Sequence, residues 1–211
     1  MRAVLACNGT INDYGKIKNC IKSSDYIISV DGGATHLRKM GIVPDILIGD
    51  FDSANSEDLN FFIEQGVEVH RFPAEKDMTD SELAIEKALD EGADELLFIG
   101  AMGSRADHSF ANILLLKKLL DLGIEASIVN ENNRIYMFNS TFSMSRLEGY
   151  KLSLIPISEK VTGVTTKGLK YPLNNAAMDL GTSWGVSNEF CEDTVTVAIG
   201  EGILLVCLSK D

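Results

Sequence analysis

The sequence predicts an α/β protein in which a mostly parallel, three-layer α/β/α domain precedes a small antiparallel β-sandwich of the jelly-roll kind. Residues 1–130 alternate short apolar segments with segments of helical periodicity, and this alternation is typical of a parallel sheet with helices on both faces. Residues 131–211 contain short strand-like segments separated by turn residues, without a long helical period, as in antiparallel sandwiches. We therefore expect two domains, 1–130 and 131–211.

Several predicted strands of the first domain are apolar along their length rather than alternating, as expected when both faces are covered. The predicted strands span residues 3–7, 26–30, 46–48, 67–72, 95–99 and 126–129, and the predicted helices span residues 14–23, 34–40, 56–65, 79–90 and 106–122. In the second domain, the predicted strands span residues 134–138, 150–156, 161–164, 168–173, 194–199 and 203–208.

The charge balance limits the classes of partner. The chain has 31 acidic and 19 basic residues and a net charge of −12, and because this charge repels phosphate backbones, no nucleic-acid partner is expected. A nucleotide remains acceptable if a divalent cation lies between carboxylate and phosphate. No apolar segment is long enough for a membrane span, and the four cysteines form no CxxC pair. We expect a cytoplasmic enzyme.

Ligands of parallel α/β sheets bind at the carboxyl ends of the strands, where this chain places unusual polar residues. After residues 26–30 comes Asp31-Gly32-Gly33, whose glycines let the backbone turn tightly and bring N–H groups against an anion. An ordinary strand–helix turn explains the same residues equally well, because Asp-Gly is a common turn pair.

The predicted strand 46–48 leads into a candidate metal site, Gly49-Asp50-Phe51-Asp52. In extended backbone, residues two apart project to the same side, so we expect Asp50 and Asp52 to form a carboxylate pair with Phe51 turned into the protein. Such a pair suits magnesium, which needs only one or two protein carboxylates plus substrate phosphates. A solvated turn is the alternative.

The segment before residues 79–90 adds further charged side chains. Thr79 and Glu82 form a capping box, which predicts the start of a helix. That structural role leaves Asp77 and Asp80 unexplained. Asp80 is expected to serve as a third metal ligand, and Lys76 is placed to contact a phosphate.

The predicted strand 95–99 is followed by a loop suited to phosphate. Gly100 and Gly103 open the loop at a helix start, and Arg105 offers a planar fork of donors. A local ion pair between Arg105 and Asp107 is the alternative, and His108 is equally compatible with a packed side chain.

In the second domain, the polar segment 181–190 contains the only tryptophan, Trp184, followed by Ser187 and Asn188. An aromatic ring beside hydroxyl and amide groups suits a flat heteroaromatic ligand. A turn-rich sheet edge with Trp184 in the core is the alternative.

Together these motifs resemble the thiamine pyrophosphokinase family over almost the whole chain. Six motifs in the family's order carry the resemblance: Asp31-Gly32-Gly33-Ala34, Pro44-Asp45 with Gly49-Asp50-Phe51-Asp52-Ser53, Asp77-x-Thr79-Asp80, Gly100-x-x-Gly103-x-Arg105-x-Asp107-His108, Thr166-x-Gly168-Leu169-x-Tyr171 and Ser187-Asn188. The resemblance implies transfer of the pyrophosphoryl group of ATP to thiamine, with Mg²⁺, giving thiamine diphosphate and AMP. It also implies a homodimer with the active site at the interface.

By motif position, the resemblance implies that Asp50, Asp52 and Asp80 hold Mg²⁺. The residues expected to contact ATP are Asp31, Gly32, Gly33, Lys76, Gly100, Gly103, Arg105, Asp107 and His108. The residues expected to contact thiamine are Thr79, Trp184, Ser187 and Asn188. Asp80 or Asp77 is the candidate acceptor of the hydroxyl proton.

Two other functions compete with this one. A pyrophosphokinase for another hydroxymethyl heterocycle, such as a pterin, would share the aspartates and differ in the second domain. A non-catalytic thiamine or nucleotide sensor would be expected to have lost some of these carboxylates. Asp31, Asp50, Asp52 and Asp80 are all present, which favours an active enzyme.

Overall fold

The structure, a computed structural model, describes residues 1–52, 54–73, 75 and 77–211. The chain forms two compact units, Met1–Glu131 and Asn132–Asp211. Within the described ranges, no helix has both the length and the apolar composition needed to cross a bilayer.

The first unit alternates strands and helices along the chain. Its strands are β1 (Arg2–Ala6), β2 (Tyr26–Val30), β3 (Ile46–Gly49), β4 (Glu68–Arg71), β5 (Glu95–Ile99) and β6 (Glu125–Val129). Its helices are α1 (Tyr14–Lys18), α2 (Gly33–Met40), α3 (Ser56–Glu64), α4 (Asp80–Asp90) and α5 (Ala106–Asp121).

The six strands pair in parallel in the order β4-β3-β2-β1-β5-β6. Strands β2, β3 and β4 are added outward on one side of β1, whereas β5 and β6 lie on its other side. The winding direction therefore reverses between β1 and β5. In open α/β sheets, a crevice forms at the carboxyl ends of the strands where this reversal occurs.

Helices cover the two faces of this sheet. One face packs against α1, α2 and α3 around Ile17, Leu37 and Phe62, while α4 contacts β1, β2 and β3. Strand residues such as Leu5 and Ile28 are fully buried, which accounts for the continuous apolar segments in the sequence. The predicted three-layer, mostly parallel fold is confirmed.

Helix α1 is shorter than the prediction of residues 14–23. The backbone N–H of Asn19 donates to the Gly15 carbonyl, and the next bond, from Cys20 to Ile17, spans only three residues. The helix tightens and ends there, because such three-residue bonds terminate α-helices.

The second unit contains two antiparallel sheets. Its strands are β7 (Asn133–Phe138), β8 (Thr141–Ser145), β9 (Lys151–Pro156), β10 (Lys160–Lys167), β11 (Ala176–Asp179), β12 (Thr194–Ala198) and β13 (Leu204–Ser209). One sheet has the order β7-β13-β9 and the other the order β11-β10-β12-β8. Buried side chains from both sheets, including Leu154, Val206, Val161 and Val195, form one core, so the predicted antiparallel sandwich is confirmed.

One strand prediction in this unit was wrong, and two strands were missed. Residues 168–173 form a loop rather than a strand, because the Thr166 backbone N–H donates to the Leu173 carbonyl and the Leu173 N–H donates to Thr166 Oγ1 at 2.8 Å. Strands β8 and β11 were not predicted. Strand β8 is rich in serine and threonine and lies at a sheet edge, where burial imposes only a weak apolar pattern.

Adding a side chain at Gly33 should destabilise the first unit. Helix α2 begins there against the end of β1, and a Cβ on Gly33 would lie 1.8 Å from the Ala6 carbonyl oxygen. We expect Gly33→Ala to lower the free energy of unfolding by about 1–3 kcal/mol, the usual cost of overpacking, as measured by urea denaturation.

Gly15→Ala is the matched control, because the nearest atom to its Cβ position is Asp13 Oδ1 at 3.4 Å. It should leave stability unchanged or raise it by about 0.5–1 kcal/mol through helix propensity. Equal losses in both variants would contradict the close approach at Gly33.

Candidate active site

A cavity of about 540 Å³ opens at the carboxyl ends of the central strands of the first unit. It lies where the winding of the sheet reverses, and its walls come from the segments after β1, β2, β3 and β5 and from the first turns of α4 and α5. The described lining residues are Cys7, Asn8, Gly9, Thr10, Val30, Asp31, Asp50, Met78, Thr79, Asp80, Ser81, Gly100, Ala101, Gly103, Ser104, Arg105, His108, Ser109, Ala111 and Asn112.

The loops after β1 and β5 are joined backbone to backbone. The Gly9 N–H donates to the Gly100 carbonyl at 2.6 Å, and the Thr10 N–H donates to the Met102 carbonyl at 2.8 Å. A Cβ on Gly9 would lie 2.3 Å from the Gly100 oxygen, so only glycine permits this approach. Sequence reasoning found Gly100 but missed Asn8, Gly9 and Thr10, although their position directly after a buried strand was a usable signal.

Left-handed backbone at two non-glycine residues marks the ends of β2 and β3. Asp31 has φ 48° and Phe51 has φ 63°, conformations that cost about 1–3 kcal/mol each and occur preferentially at functional sites. Phe51 is buried, as predicted. The expected extended geometry of Asp50 and Asp52 was wrong, because the chain turns at Phe51 and the Asp52 N–H donates to Asp50 Oδ1 at 3.0 Å.

The aspartates of the site therefore divide into two groups. Asp31, Asp50 and Asp80 line the cavity, one after β2, one after β3 and one in the first turn of α4. Asp52 and Asp77 are exposed and are not among the described lining residues.

The carboxylates suit a hard cation without forming a ready-made cage. Among the described residues, no group of three or more His, Cys, Asp or Glu side chains is arranged to hold a metal. Magnesium needs only one or two protein carboxylates and takes its other ligands from phosphates and water. Three carboxylates around one cavity therefore fit Mg²⁺ that arrives with a polyphosphate.

Helix α4 starts with the predicted capping box. Thr79 Oγ1 accepts from the Glu82 N–H at 3.3 Å, and Glu82 Oε2 accepts from the Thr79 N–H at 3.4 Å. This bond pair fixes the first turn, which carries Asp80 and the buried Ser81 into the cavity wall. Lys76 lies outside the described residues.

The start of α5 carries the ion pair that the sequence left as an alternative. Arg105 donates to both carboxylate oxygens of Asp107, at 3.2 Å from Nε and 2.6 Å from a terminal nitrogen. This pairing, with the His108 N–H, lowers the pKa of Asp107 to about 2. His108 is exposed and lines the cavity, so its interpretation as a packed histidine was wrong.

The predicted ligand-binding residues of the second unit lie in one loop. The Asn188 side chain accepts from the Tyr171 N–H at 3.0 Å and donates to the Tyr171 carbonyl at 2.8 Å, so it ties two motif segments together. Ser187 has φ 64°, and its N–H donates to Ser153 Oγ at 3.0 Å. Trp184 is 51% exposed, so the core alternative for this side chain was wrong.

His36 is a buried histidine next to the cavity that sequence reasoning missed. It lies on α2, and its Nε2 is 2.7 Å from the Gly9 carbonyl oxygen. Burial is the main cause that lowers the pKa of His36, and the nearby charge of Lys39 lowers it further. The hydrogen bond to Gly9 and the charge of Glu131 act in the opposite direction without reversing the shift. The folded protein therefore favours the neutral imidazole.

Comparisons with known proteins agree over both units. The family model for the thiamin pyrophosphokinase catalytic domain matches residues 17–128, and the model for the thiamin pyrophosphokinase vitamin B1 binding domain matches residues 139–204. The thiamine pyrophosphokinase of Bacillus subtilis (strain 168) is 36% identical over 186 residues, which are 87% of this chain and 87% of that protein.

Solved structures agree with the fold. The crystal structure of thiamine pyrophosphokinase from Bacillus subtilis has a TM-score of 0.93 and 31% identity, covering 100% of both chains. That of thiamin pyrophosphokinase from Geobacillus thermodenitrificans has a TM-score of 0.88 and 31% identity, covering 100% of this chain and 98% of that one.

The lowered pKa of His36 predicts a pH dependence of stability. A histidine whose folded pKa is depressed stabilises the fold fully above its unfolded value near 6.5, and this contribution is lost as pH falls toward the folded pKa. We expect the free energy of unfolding in urea to fall more between pH 7.5 and 5.5 in the wild type than in His36→Gln. Both proteins contain His70 and His108, so a difference between them reports on His36 alone. Equal losses would therefore contradict a buried neutral imidazole at His36.

Proposed function

The chain belongs to the thiamine pyrophosphokinase family, and we propose that it transfers the pyrophosphoryl group of ATP to the hydroxyl of thiamine at the cavity of the first unit. The products are thiamine diphosphate and AMP. The observation that carries this proposal is the convergence of Asp31, Asp50 and Asp80 on the same cavity as the Gly9 and Gly100 loops. Carboxylates able to bind a cation and backbone and arginine donors able to bind phosphate therefore line the same cavity.

The match to a vitamin B1 binding domain over residues 139–204 supports thiamine as the acceptor. A pterin as the acceptor has no support among the relatives, all of which are named as thiamine pyrophosphokinases. A sensor has none either.

For ATP, we propose contacts with the loop after β5 and with Arg105, together with Gly32, Gly33, Lys76 and His108. Asp107 belongs to this site as the ion-pair partner of Arg105. Arg105 would exchange its bonds to Asp107 for bonds to phosphate oxygens, which a planar guanidinium binds in the same forked geometry. Such donors stabilise negative charge as it develops on the leaving group.

For the metal, we propose that Asp50, Asp52 and Asp80 hold Mg²⁺, with Asp31 beside them. Asp50 and Asp80 have the stronger structural support, because both line the cavity. When bound, Mg²⁺ neutralises phosphate charge and orients the polyphosphate. The chain is strongly acidic, so a cation is also needed to bring a polyanion to three carboxylates.

In the proposed reaction, the thiamine hydroxyl oxygen bonds to the β-phosphorus of ATP, and the bond from that phosphorus to the oxygen bridging to the α-phosphorus breaks. AMP leaves with the bridging oxygen, and the hydroxyl proton passes to a carboxylate. Asp80, which lines the cavity, and Asp77 are the candidates, and the acceptor is a carboxylate that is not bound to Mg²⁺, because a bound cation weakens a carboxylate as a base. Such transfers depend mainly on positioning and charge neutralisation.

For thiamine, we propose contacts on each unit, from Thr79 in the first and from Trp184, Ser187 and Asn188 in the second. We also propose a cytoplasmic homodimer. All four cysteines are free thiols, as is usual in a reducing compartment.

Incubation of the protein with ATP, Mg²⁺ and thiamine, followed by chromatography of nucleotides and thiamine esters, tests this function. We expect AMP and thiamine diphosphate to appear in equal amounts, with no turnover of a hydroxymethyl pterin. ADP with thiamine monophosphate would contradict pyrophosphoryl transfer, and no product would contradict the function altogether.

Neutralising Asp50 should abolish most of the turnover without unfolding the chain. We expect Asp50→Asn to lower kcat by about a hundredfold or more, the usual cost of losing one electrostatic element of an active site. Asp90→Asn is the control, since Asp90 is an exposed carboxylate at the other end of α4. Equal activity of the two variants would remove Asp50 from the site.

The ion pair at α5 predicts opposite effects for its two members. Arg105→Gln should raise KM for ATP about tenfold, because a charged hydrogen bond to phosphate is lost. Asp107→Asn should leave KM for ATP unchanged or lower it, because Arg105 no longer has to leave a carboxylate. Steady-state kinetics measure both, and a tenfold rise in both variants would mean that the intact pair, rather than free Arg105, is needed.

A further inference from the structure

We propose that His36 is a positioning residue for ATP binding, acting through the carbonyl of Gly9; this inference rests on the proposed function. His36 is 9% exposed and is not among the described residues that line the cavity. It has no place in the proposed chemistry, yet its ring is bonded to the loop that forms one cavity wall.

The bonding partners fix the tautomer of His36. A carbonyl oxygen only accepts, so Nε2 carries the hydrogen that is donated to Gly9. The other nitrogen, Nδ1, lies 3.0 Å from the Tyr14 hydroxyl and in the neutral ring accepts its hydrogen. The Tyr14 and His36 ring centroids are 5.7 Å apart, so Tyr14 of α1 packs against the imidazole.

Both backbone polar groups of Gly9 are therefore hydrogen-bonded. Its N–H is bonded to the Gly100 carbonyl after β5, and its carbonyl is bonded to His36 on α2. The Thr10 N–H adds a bond to Met102. Loss of His36 would leave the Gly9 carbonyl without this donor, and the loop would then be held by its two bonds to the loop after β5, at Gly100 and Met102.

Loss of the bond to His36 should weaken the binding of ATP rather than that of thiamine. Gly9, Gly100 and Gly103 all line the cavity, and Gly103 precedes Arg105 by two residues. A displaced Gly9 moves the loop after β5 with it, because the two backbones are in direct contact. The proposed thiamine contacts lie at Thr79 and in the second unit.

The neighbouring residue Thr35 offers a matched control. It also lies on α2, and its hydroxyl donates to Asp58 Oδ2 at 2.6 Å. Asp58 belongs to α3, and neither residue is among the described cavity-lining residues. Thr35→Val therefore removes a bond of the same helix without releasing the Gly9 loop.

The test compares His36→Leu, His36→Gln, Tyr14→Phe and Thr35→Val by thermal unfolding and steady-state kinetics. His36→Leu should raise KM for ATP about tenfold, because the half-buried Gly9 carbonyl loses its donor and the loop loses one of its anchors, while kcat and KM for thiamine change much less. His36→Gln should recover most of the loss, since its amide N–H can replace Nε2–H. Tyr14→Phe should raise KM for ATP about threefold through loss of one neutral hydrogen bond.

A lower melting temperature with unchanged KM for ATP in His36→Leu, as expected for Thr35→Val, would show a purely structural role and overturn the proposal. If His36→Leu fails to fold, an unchanged KM for ATP in Tyr14→Phe overturns it instead.

Calorimetric binding of Mg²⁺ with α,β-methylene ATP, in the absence of thiamine, separates this proposal from the proposed function. The dissociation constant should follow the same order of variants even if the wild type forms no thiamine diphosphate. Equal dissociation constants in the wild type and the His36 variants would contradict the positioning role.

Discussion

The direct backbone contact between the loops after β1 and β5 is the constraint on which the rest of the site depends. Winding of the sheet reverses between these strands, which opens a crevice at their carboxyl ends. The bond from Gly9 to Gly100 joins the two loops in one wall of that crevice, and no residue larger than glycine fits at position 9. The cavity wall is therefore set by backbone, which presents N–H and carbonyl groups at fixed positions.

The carboxylates line the same cavity, and their placement also has a backbone origin. Asp31 and Phe51 adopt left-handed conformations at the ends of β2 and β3, so the chain leaves both strands by a sharp turn. The turn at Phe51 buries its ring and leaves Asp50 at the cavity. The cost of this strain is offset by the burial of the strands behind it, which are apolar on both faces.

Charge explains how the two walls work together. A chain of net charge −12 with three carboxylates at one cavity repels a nucleotide polyphosphate unless a divalent cation is bound with it. Arg105 is meanwhile occupied by Asp107. In our account, the polyphosphate brings its own cation to the aspartates and draws Arg105 away from its local partner, so that both walls become charge-matched only when the nucleotide is bound.

The sequence predicted the central strands closely because their signal is local: β2 and β5 are short apolar segments bounded by polar turns. The capping box at Thr79 was predictable for the same reason. The turn at Phe51 was not, since a left-handed non-glycine residue has no sequence signature. His36 was missed because its partner, the Gly9 carbonyl, is 27 residues away. Every residue has such a backbone carbonyl, so no sequence pattern shows which one a histidine will contact.

The most direct test of the account is a crystal structure of the chain with Mg²⁺ and α,β-methylene ATP, in which the bond to be broken is blocked. The account predicts the triphosphate within the cavity of the first unit, with the metal bound to Asp50 and Asp80 and with Arg105 turned from Asp107 to a phosphate. A triphosphate bound elsewhere, or a metal without contact to either aspartate, would contradict it.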